Sequence, residues 1–244
     1  KPTDPEVISR LVPSDLRGNA EVEDRCLASM GIYVFKASAM MDALEGNATD
    51  FGKEIIPSLV NSKNLRCHVF DDYWEDIGTV RAFFEANLQL TDDQPSFDFY
   101  DEKLPIYNYP DILPTAKLVE CSLKNTTVAS GCRIGNSSFE RCMLGIRSEV
   151  GDNCHFSNVV MMGADYQDDD GSSYQQISIG VGDGSKIKDA IIDKNARIGE
   201  NVLLSPQGVK EGWADERQNI YARDGVLVIV KNALVESGTK IGEI

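Results

Sequence analysis

Apolar residues recur at every sixth position through the second half of the chain. A β-strand repeats every two residues and an α-helix about every 3.6, so this period fits neither element alone. It is typical of a left-handed parallel β-helix, in which short strands stack coil upon coil around a filled interior. The sequence predicts that Ile134, Val150, Ile187, Ile198 and Val235 point inward. The other members of the series are Val128, Leu144, Phe156, Met162, Val181, Ile192, Leu204, Ile229 and Ile241. 

The first part of the chain has the pattern of an α/β domain. ASMGIYVF and LRCHVFDDYW are rich in strand-forming residues, whereas SAMMDALEG and VRAFFEANLQL repeat at helical spacing. Several prolines and acidic residues follow between 91 and 113 and predict an extended linker. Two stretches that break the six-residue period, 166–176 and 205–225, are predicted to be loops. The predicted domains are an α/β domain at 1–95, a linker at 96–114 and the β-helix at 115–244.

The net charge of the chain limits the classes of partner that we expect it to bind. The chain has 24 Lys and Arg against 39 Asp and Glu, a formal charge of −15. That field repels phosphate backbones and anionic lipids, so we expect neither a nucleic acid polymer nor a membrane as partner. A small anion can still bind a local basic cluster, and IIDKNARIG (191–199) is such a cluster.

The six Cys form no CxxC pair, which favours reduced thiols over a metal site.

Several motifs together resemble one family. SMGIYVF, DFGKEIIP, DYWEDIGT, MGADY and AIIDKNARIG occur in this order. The chain resembles the ADP-glucose pyrophosphorylases (glucose-1-phosphate adenylyltransferases) over nearly its whole length. FFEANL, GIRSEVG and VIVKNALVESG are more similar to the large subunit of the plant and algal heterotetramer than to the small one.

The resemblance implies a reaction and its partners. The family transfers an adenylyl group from ATP to glucose 1-phosphate with Mg²⁺, giving ADP-glucose for starch or glycogen and releasing pyrophosphate. The resemblance also implies 3-phosphoglycerate and phosphate as effectors. The implied assembly is a heterotetramer with a small subunit, or a homotetramer. The implied location is the plastid stroma in a plant or alga, or the cytoplasm in a bacterium. The fold implied for 1–95 is the second half of a Rossmann-like nucleotidyltransferase domain. The family's Gly-rich nucleotide loop does not occur in this sequence, so we expect no productive ATP binding by this chain as written.

The resemblance also carries over individual residues. Asp76 matches a catalytic, metal-holding carboxylate, and its alternative is to cap a helix that starts near Thr79. Lys1 and Ser29 match residues that contact the sugar phosphate, and Asp50 and Glu54 match a substrate-binding loop near the sugar. For Asp50 and Glu54 the alternative is helix capping.

The implied effector site lies on the β-helix. Lys194 and Lys231 match the lysines that bind the anionic effectors, and their alternative is a solvated face. Asp111 stands where the family usually has an Arg in its linker motif, so effector binding is expected to be weaker or altered. Tyr73 and Trp74, within the motif DYWEDIGT, are predicted to pack in the core, and their alternative is to line the pocket.

Other functions stay open at this level. A non-catalytic regulatory subunit of the same enzyme and another sugar-1-phosphate nucleotidyltransferase share most of these features. A hexapeptide acyltransferase shares the β-helix but generally needs a His general base, and the chain has only His68 and His155.

Overall fold

The computed structural model describes residues 28–60, 64–107, 112–167 and 177–243. The chain divides into two compact units, one ending at Asp72 and the other beginning at Tyr73. This division follows contacts between residues. The domain boundaries proposed from the sequence stay a prediction.

The first unit contains short helices. Helix α1 spans Ala37–Ala43, a π-helical turn spans Phe51–Ile55, and α2 continues from it over Ile56–Leu59. Ile55 and Leu59 are its buried apolar residues among those described. Their spacing of four residues places both side chains on one face of the helical segment.

The two strands predicted in this unit were wrong for the described residues. Residues 28–36 and 64–72 have no regular strand structure. Val34 is 98% exposed and Val69 is 55% exposed. A strand forms only when a neighbour accepts and donates its backbone hydrogen bonds, and no neighbouring strand pairs with these segments in the described part of the unit.

The second unit is built on a parallel β-helix. One flat side is a six-stranded sheet in the order β1-β3-β5-β7-β9-β14. Its strands are Lys117–Leu118 (β1), Arg133–Ile134 (β3), Glu149–Val150 (β5), Gly180–Val181 (β7), Arg197–Ile198 (β9) and Leu234–Val235 (β14).

The other strands form a nine-stranded sheet. Its main path runs β11-β12-β13-β8-β6-β4-β2, and β10 pairs with β8 and β15. Its strands are Ser122–Val128 (β2), Ser138–Leu144 (β4), His155–Met161 (β6), Lys186–Ile192 (β8), Leu203–Leu204 (β10), Ala214–Asp215 (β11), Ile220–Arg223 (β12), Val226–Ile229 (β13) and Lys240–Ile241 (β15).

The predicted inward residues are confirmed. Ile134, Val150, Ile198 and Val235 belong to one in-register column that also includes Val181. Each of these side chains is at most 5% exposed, and Ile187 on the other sheet is 1% exposed. Burying a side chain of this size stabilises the folded state by about 1.5 to 3 kcal/mol. The column therefore forms the centre of the hydrophobic core.

Met162 belongs to the six-residue series but is not one of the fully buried residues. Met161 is buried and pairs in register with Leu144 and Ile192, whereas Met162 is half-buried. The step from Phe156 to the buried Met161 is five residues long, and it is in register with the five-residue step from Ile187 to Ile192 on the neighbouring strand. A strict period of six therefore misses the buried residue by one position.

The second predicted loop is partly regular structure. Strands β11, β12 and β13 pair antiparallel, and β13 then joins β8 in parallel. Ile220 and Ala222 alternate with outward residues on β12 and are buried. The segment 205–225 is therefore an inserted hairpin that extends one sheet. Most of the first predicted loop, 166–176, lies outside the described residues.

Helix α3, Val80–Gln89, confirms the helix predicted from VRAFFEANLQL. Its buried side chains are Phe84 and Leu88, which pack with Val160, Ile191 and Val226 of the β-helix. No helix of the described residues is long and apolar enough to cross a membrane.

Candidate functional site

Two lysines of the β-helix converge on one carboxylate. Lys194 Nζ lies 2.8 Å from Asp165 Oδ1, and Lys231 Nζ lies 2.7 Å from Asp165 Oδ2. Asn195 Nδ2 donates to Asp165 Oδ2 at 3.1 Å and also to Asn232 Oδ1 at 3.2 Å. We call these five residues the Asp165 corner.

Strand register places the two lysines side by side. Ile192 ends β8 and Ile229 ends β13, and the two residues are paired in parallel register. Lys194 and Lys231 each follow two residues later, so both leave the β-helix at the same corner. The sequence motifs IIDK and VIVK are therefore the same structural position on adjacent coils.

Gly163 lets the chain that carries Asp165 approach this corner. Its φ is +84°, and a Cβ there would lie 1.9 Å from the carbonyl oxygen of Ile146. Only Gly can occupy the position without moving the backbone. The backbone N–H of Asp165 then donates to Asn195 Oδ1 at 2.8 Å, which fixes the orientation of the turn.

The charges at the corner stabilise one another. Hydrogen bonds from Lys194 and then Lys231 hold the pKa of the Asp165 carboxyl well below its usual range. The hydrogen bond to Asp165 raises the pKa of Lys231. Both lysine side chains are 39% to 50% exposed, so solvent screens these pairs. The carboxylate of Asp193 also contributes to raising the pKa of Lys231, so Asp165 and Asp193 together balance the two ammonium groups, which stay accessible to an incoming anion.

Asp76 lies in the turn that precedes α3. Its alternative role as a helix cap was wrong, because Thr79 is the N-cap and accepts from the N–H of Ala82 at 3.1 Å. Asp76 is exposed, and Gly78 lies against its carboxylate, with an added Cβ falling 3.2 Å from Oδ1. The Asp76 carboxylate is thus held at the surface of the turn.

The described residues supply no complete metal centre. No group of three His, Cys, Asp or Glu side chains suited to a metal ion occurs among them. Mg²⁺ in nucleotide enzymes is commonly held by one or two carboxylates, with substrate phosphates and water completing the shell. Asp76 fits the role of one such carboxylate.

Three of the residues matched to the substrate, Ser29, Asp50 and Glu54, are described, and Ser29 and Asp50 lie near Tyr33. Ser29 Oγ is 3.2 Å from the hydroxyl of Tyr33, and the Tyr33 ring stacks on Phe51 with centroids 6.1 Å apart. Asp50 immediately precedes Phe51 and caps the π-helical turn by accepting from the N–H of Lys53 at 2.7 Å. Glu54 accepts from the N–H of Thr49 at 2.8 Å. Asp50 and Glu54 therefore form a reciprocal capping arrangement, which was the alternative considered for them.

Comparisons with known proteins identify the family. A family model described as the GLGC left-handed parallel β-helix domain matches residues 111–240, which is more than half of the chain. The chain belongs to this GLGC β-helix family. A second model, described as nucleotidyl transferase, matches residues 1–93. The fold class predicted from the sequence, a nucleotidyl transferase domain with a left-handed β-helix, is confirmed.

A curated relative of this GLGC-family chain comes from maize. It is the glucose-1-phosphate adenylyltransferase large subunit 1, chloroplastic/amyloplastic, of Zea mays, and it is 40% identical over 224 residues. The alignment covers 88% of the present chain and 43% of the maize protein. The chain therefore spans less than half the length of that relative. The similarity to the large subunit noted in the sequence is confirmed.

Two residues singled out in the sequence of this GLGC-family chain lie outside the described residues, and the structure corrects the prediction for two others. Lys1 and Asp111 lie outside the described residues. The prediction that Tyr73 and Trp74 pack in the core was wrong, because their exposures are 38% and 42%. The Tyr73 hydroxyl donates to Gln89 Oε1 at 3.4 Å, so its polar end is paired at the surface.

Three residues that organise these sites were not predicted from the sequence. Asp165 was within the quoted motif MGADY, but no apolar period marks it. Asn195 was within IIDKNARIG, and its left-handed φ of 61° with 4% exposure marks a buried corner residue. Asp224 accepts from the N–H of Val80, 144 residues away, and no local signal in the sequence predicts that contact.

Proposed function

We propose that this chain is part of a glucose-1-phosphate adenylyltransferase, which makes ADP-glucose and pyrophosphate from ATP and glucose 1-phosphate. One observation carries the proposal: a nucleotidyl transferase match and a GLGC β-helix match occur in this order in one chain. The maize relative is named a glucose-1-phosphate adenylyltransferase as well.

Asp76 is the proposed catalytic carboxylate, and it would hold Mg²⁺ together with substrate phosphates. Mg²⁺ held there would offset the negative charge that develops on the pyrophosphate leaving group. Lys1, Ser29, Asp50 and Glu54 are the proposed substrate-binding residues, with Lys1 and Ser29 at the sugar phosphate and Asp50 and Glu54 near the sugar. The carboxylate of Asp76 is exposed, as a ligand of a metal shared with the substrate would need to be.

The Asp165 corner is the proposed effector site. Lys194 and Lys231 would bind a phosphate-bearing anion, with 3-phosphoglycerate as activator and phosphate as inhibitor. Their convergence on one carboxylate supports this role, because the two ammonium groups already have the spacing that two oxygens of one anion require. Asp111 in the linker is the proposed cause of weaker or altered effector binding.

We further propose assembly and location by similarity to the maize protein. Its name identifies it as a large subunit of a chloroplast and amyloplast enzyme. The corresponding proposal here is a large-subunit-like chain in a heterotetramer with a small subunit, with a homotetramer as the alternative. If the source is a plant or alga, the proposed location is the plastid stroma.

The test is an assay of the intact protein, alone and coexpressed with a small subunit. ATP, GTP and UTP are each supplied with glucose 1-phosphate and Mg²⁺, and pyrophosphate release is measured with the nucleotide sugar identified by mass spectrometry. Turnover that prefers ATP supports the proposal. A preference for GTP or UTP would assign another sugar-1-phosphate nucleotidyltransferase.

A non-catalytic regulatory subunit is the second candidate. Its specific support is the similarity to a large subunit, the chain type named in the maize relative. It predicts no turnover by the intact protein alone, together with a changed effector response of the small subunit. An acyltransferase is disfavoured by the nucleotidyl transferase match, and His155 is exposed with Nδ1 2.6 Å from Ser138 Oγ.

A further inference from the structure

The first turn of α3 is capped from a distant part of the chain. Asp224 Oδ2 lies 3.1 Å from the backbone nitrogen of Val80 and 3.5 Å from that of Arg81. Thr79 Oγ1 accepts from the next N–H, that of Ala82, at 3.1 Å. The first backbone N–H groups of a helix have no partner within the helix, so these two side chains together satisfy the exposed start of α3.

Asp224 is itself held in place. It occupies the tight turn between β12 and β13 with φ 53°, a left-handed conformation that Asp tolerates better than most residues. Glu211 accepts from the N–H groups of Asp224 and Gly225 at 3.0 and 3.3 Å. The inserted hairpin therefore presents a carboxylate of fixed orientation to the helix.

A short tether joins this cap to Asp76. Three residues, Ile77 to Thr79, separate Asp76 from Val80, and Gly78 lies against the Asp76 carboxylate. The same turn is seated on the β-helix, where it borders a cavity of about 410 Å³. The β-helix residues that line this cavity are Met162, Ile191, Asp193 and Val228.

We propose that Asp224 is a positioning residue for Asp76. By capping α3 it fixes the start of the helix, and the short turn then fixes where the Asp76 carboxylate stands. Asp224 touches neither substrate nor metal in this role. The proposal rests on the proposed function, because Asp76 matters to the reaction only if the protein transfers a nucleotidyl group.

Two substitutions of Asp224 separate capping from backbone strain. Asp224→Gly removes the acceptor oxygen while keeping a residue that accepts φ 53°. Asp224→Asn keeps an acceptor oxygen and also tolerates that conformation. The matched control is Asp215→Gly in the same hairpin, since Asp215 accepts from Arg217 and Gln218.

Backbone hydrogen exchange of the intact protein, measured by mass spectrometry over residues 74–84, reports the anchoring. In Asp224→Gly we expect the amide protons in the first turn of α3 to exchange about tenfold faster, because the helix has lost an N-terminal cap. In Asp224→Asn and Asp215→Gly we expect these amide protons to exchange at the parent rate. Turnover is measured in parallel against Mg²⁺ concentration. We expect the Mg²⁺ needed for half-maximal turnover to rise severalfold in Asp224→Gly and to be restored in Asp224→Asn.

The anchoring by Asp224 would be refuted if the amides in the first turn of α3 exchanged at the parent rate in Asp224→Gly. It would also be refuted if Asp215→Gly accelerated their exchange as much as Asp224→Gly does. Faster exchange with an unchanged Mg²⁺ requirement and kcat would make Asp224 purely structural. An inactive parent protein would instead refute the proposed function. The positioning role in the reaction would fall with it, while the exchange data would still decide whether Asp224 anchors the turn.

Discussion

Lys231 Nζ lies 2.7 Å from Asp165 Oδ2, although the two residues are 66 positions apart in the chain. The carboxylate occupies the position where an anionic ligand of this lysine would sit. An anion that enters the Asp165 corner must therefore compete with a carboxylate already present, and its affinity depends on how strongly Asp165 is held.

Removing the charge of Asp165 is expected to strengthen phosphate binding. Asp165→Asn keeps the shape of the side chain but releases Lys194 and Lys231 from an internal anion. Solvent screens these exposed ion pairs, so the gain in phosphate affinity should reach at most about tenfold to thirtyfold. Isothermal titration with phosphate at constant ionic strength measures it.

The matched control for this change is Asp183→Asn. Asp183 is on the same β-helix and accepts from the backbone N–H of Asp152, away from the two lysines. It should leave phosphate affinity near that of the parent. Equal affinities in the parent and both variants would contradict an anion site at the corner.

The Asp165 corner should contribute to stability over a defined pH range. Because the pKa of Asp165 is lowered in the folded protein, its ionisation stabilises the fold above the ordinary Asp value of about 3.9 and is lost as the pH falls below it. The difference in unfolding free energy between the parent and Asp165→Asn should be constant from pH 7 to about pH 5 and then decline. Urea unfolding across this range measures it, and a difference that vanished near neutral pH would contradict the pairing.

Asp76→Asn should cut turnover of the intact protein by several orders of magnitude if Asp76 holds the metal. A metal-held carboxylate contributes several kcal/mol of transition-state stabilisation, and about 1.4 kcal/mol corresponds to a factor of ten. The control is Glu75→Gln, which removes the adjacent exposed carboxylate. Steady-state kinetics decide between them, and rates within about twofold of the parent for Asp76→Asn would remove Asp76 from the chemistry.

Two adjacent leucines test the inward and outward positions of the β-helix. Leu204 is fully buried and Leu203 is half-buried on the same two-residue strand. Leu204→Ala should destabilise the protein by about 2 to 5 kcal/mol, because it leaves a cavity in the core. Leu203→Ala should cost about 1 kcal/mol or less. Chemical denaturation of both variants measures the difference, and equal losses would contradict the assigned interior.

The β-helix was predictable because its signal is local and repeated. Each coil needs an apolar residue at the same point, so Ile134, Val150, Ile198 and Val235 mark the interior without reference to any other part of the chain. Met162 is not the buried residue of its coil because the step from Phe156 to Met161 is five residues long, as it is from Ile187 to Ile192 on the paired strand, and a strict period of six does not capture that step.

The candidate site was predictable only in part. Lys194 and Lys231 were identified through their motifs, but the sequence does not say that they share a carboxylate. Asp165 reaches them through a turn at Gly163 that depends on the close approach of the neighbouring coil.

The sequence by itself determined the stacked coils, the helix from Val80 to Gln89 and the residues that line the interior, because periodic burial and helix periodicity are properties of neighbouring residues. Only the tertiary structure decided that Asp165 joins the two lysines and that Asp224 caps α3. Both contacts join residues brought together by the stacking of coils and by an inserted hairpin. The free energy of these contacts comes from charge and hydrogen-bond geometry between residues that are distant in sequence. No spacing along the chain therefore predicts them.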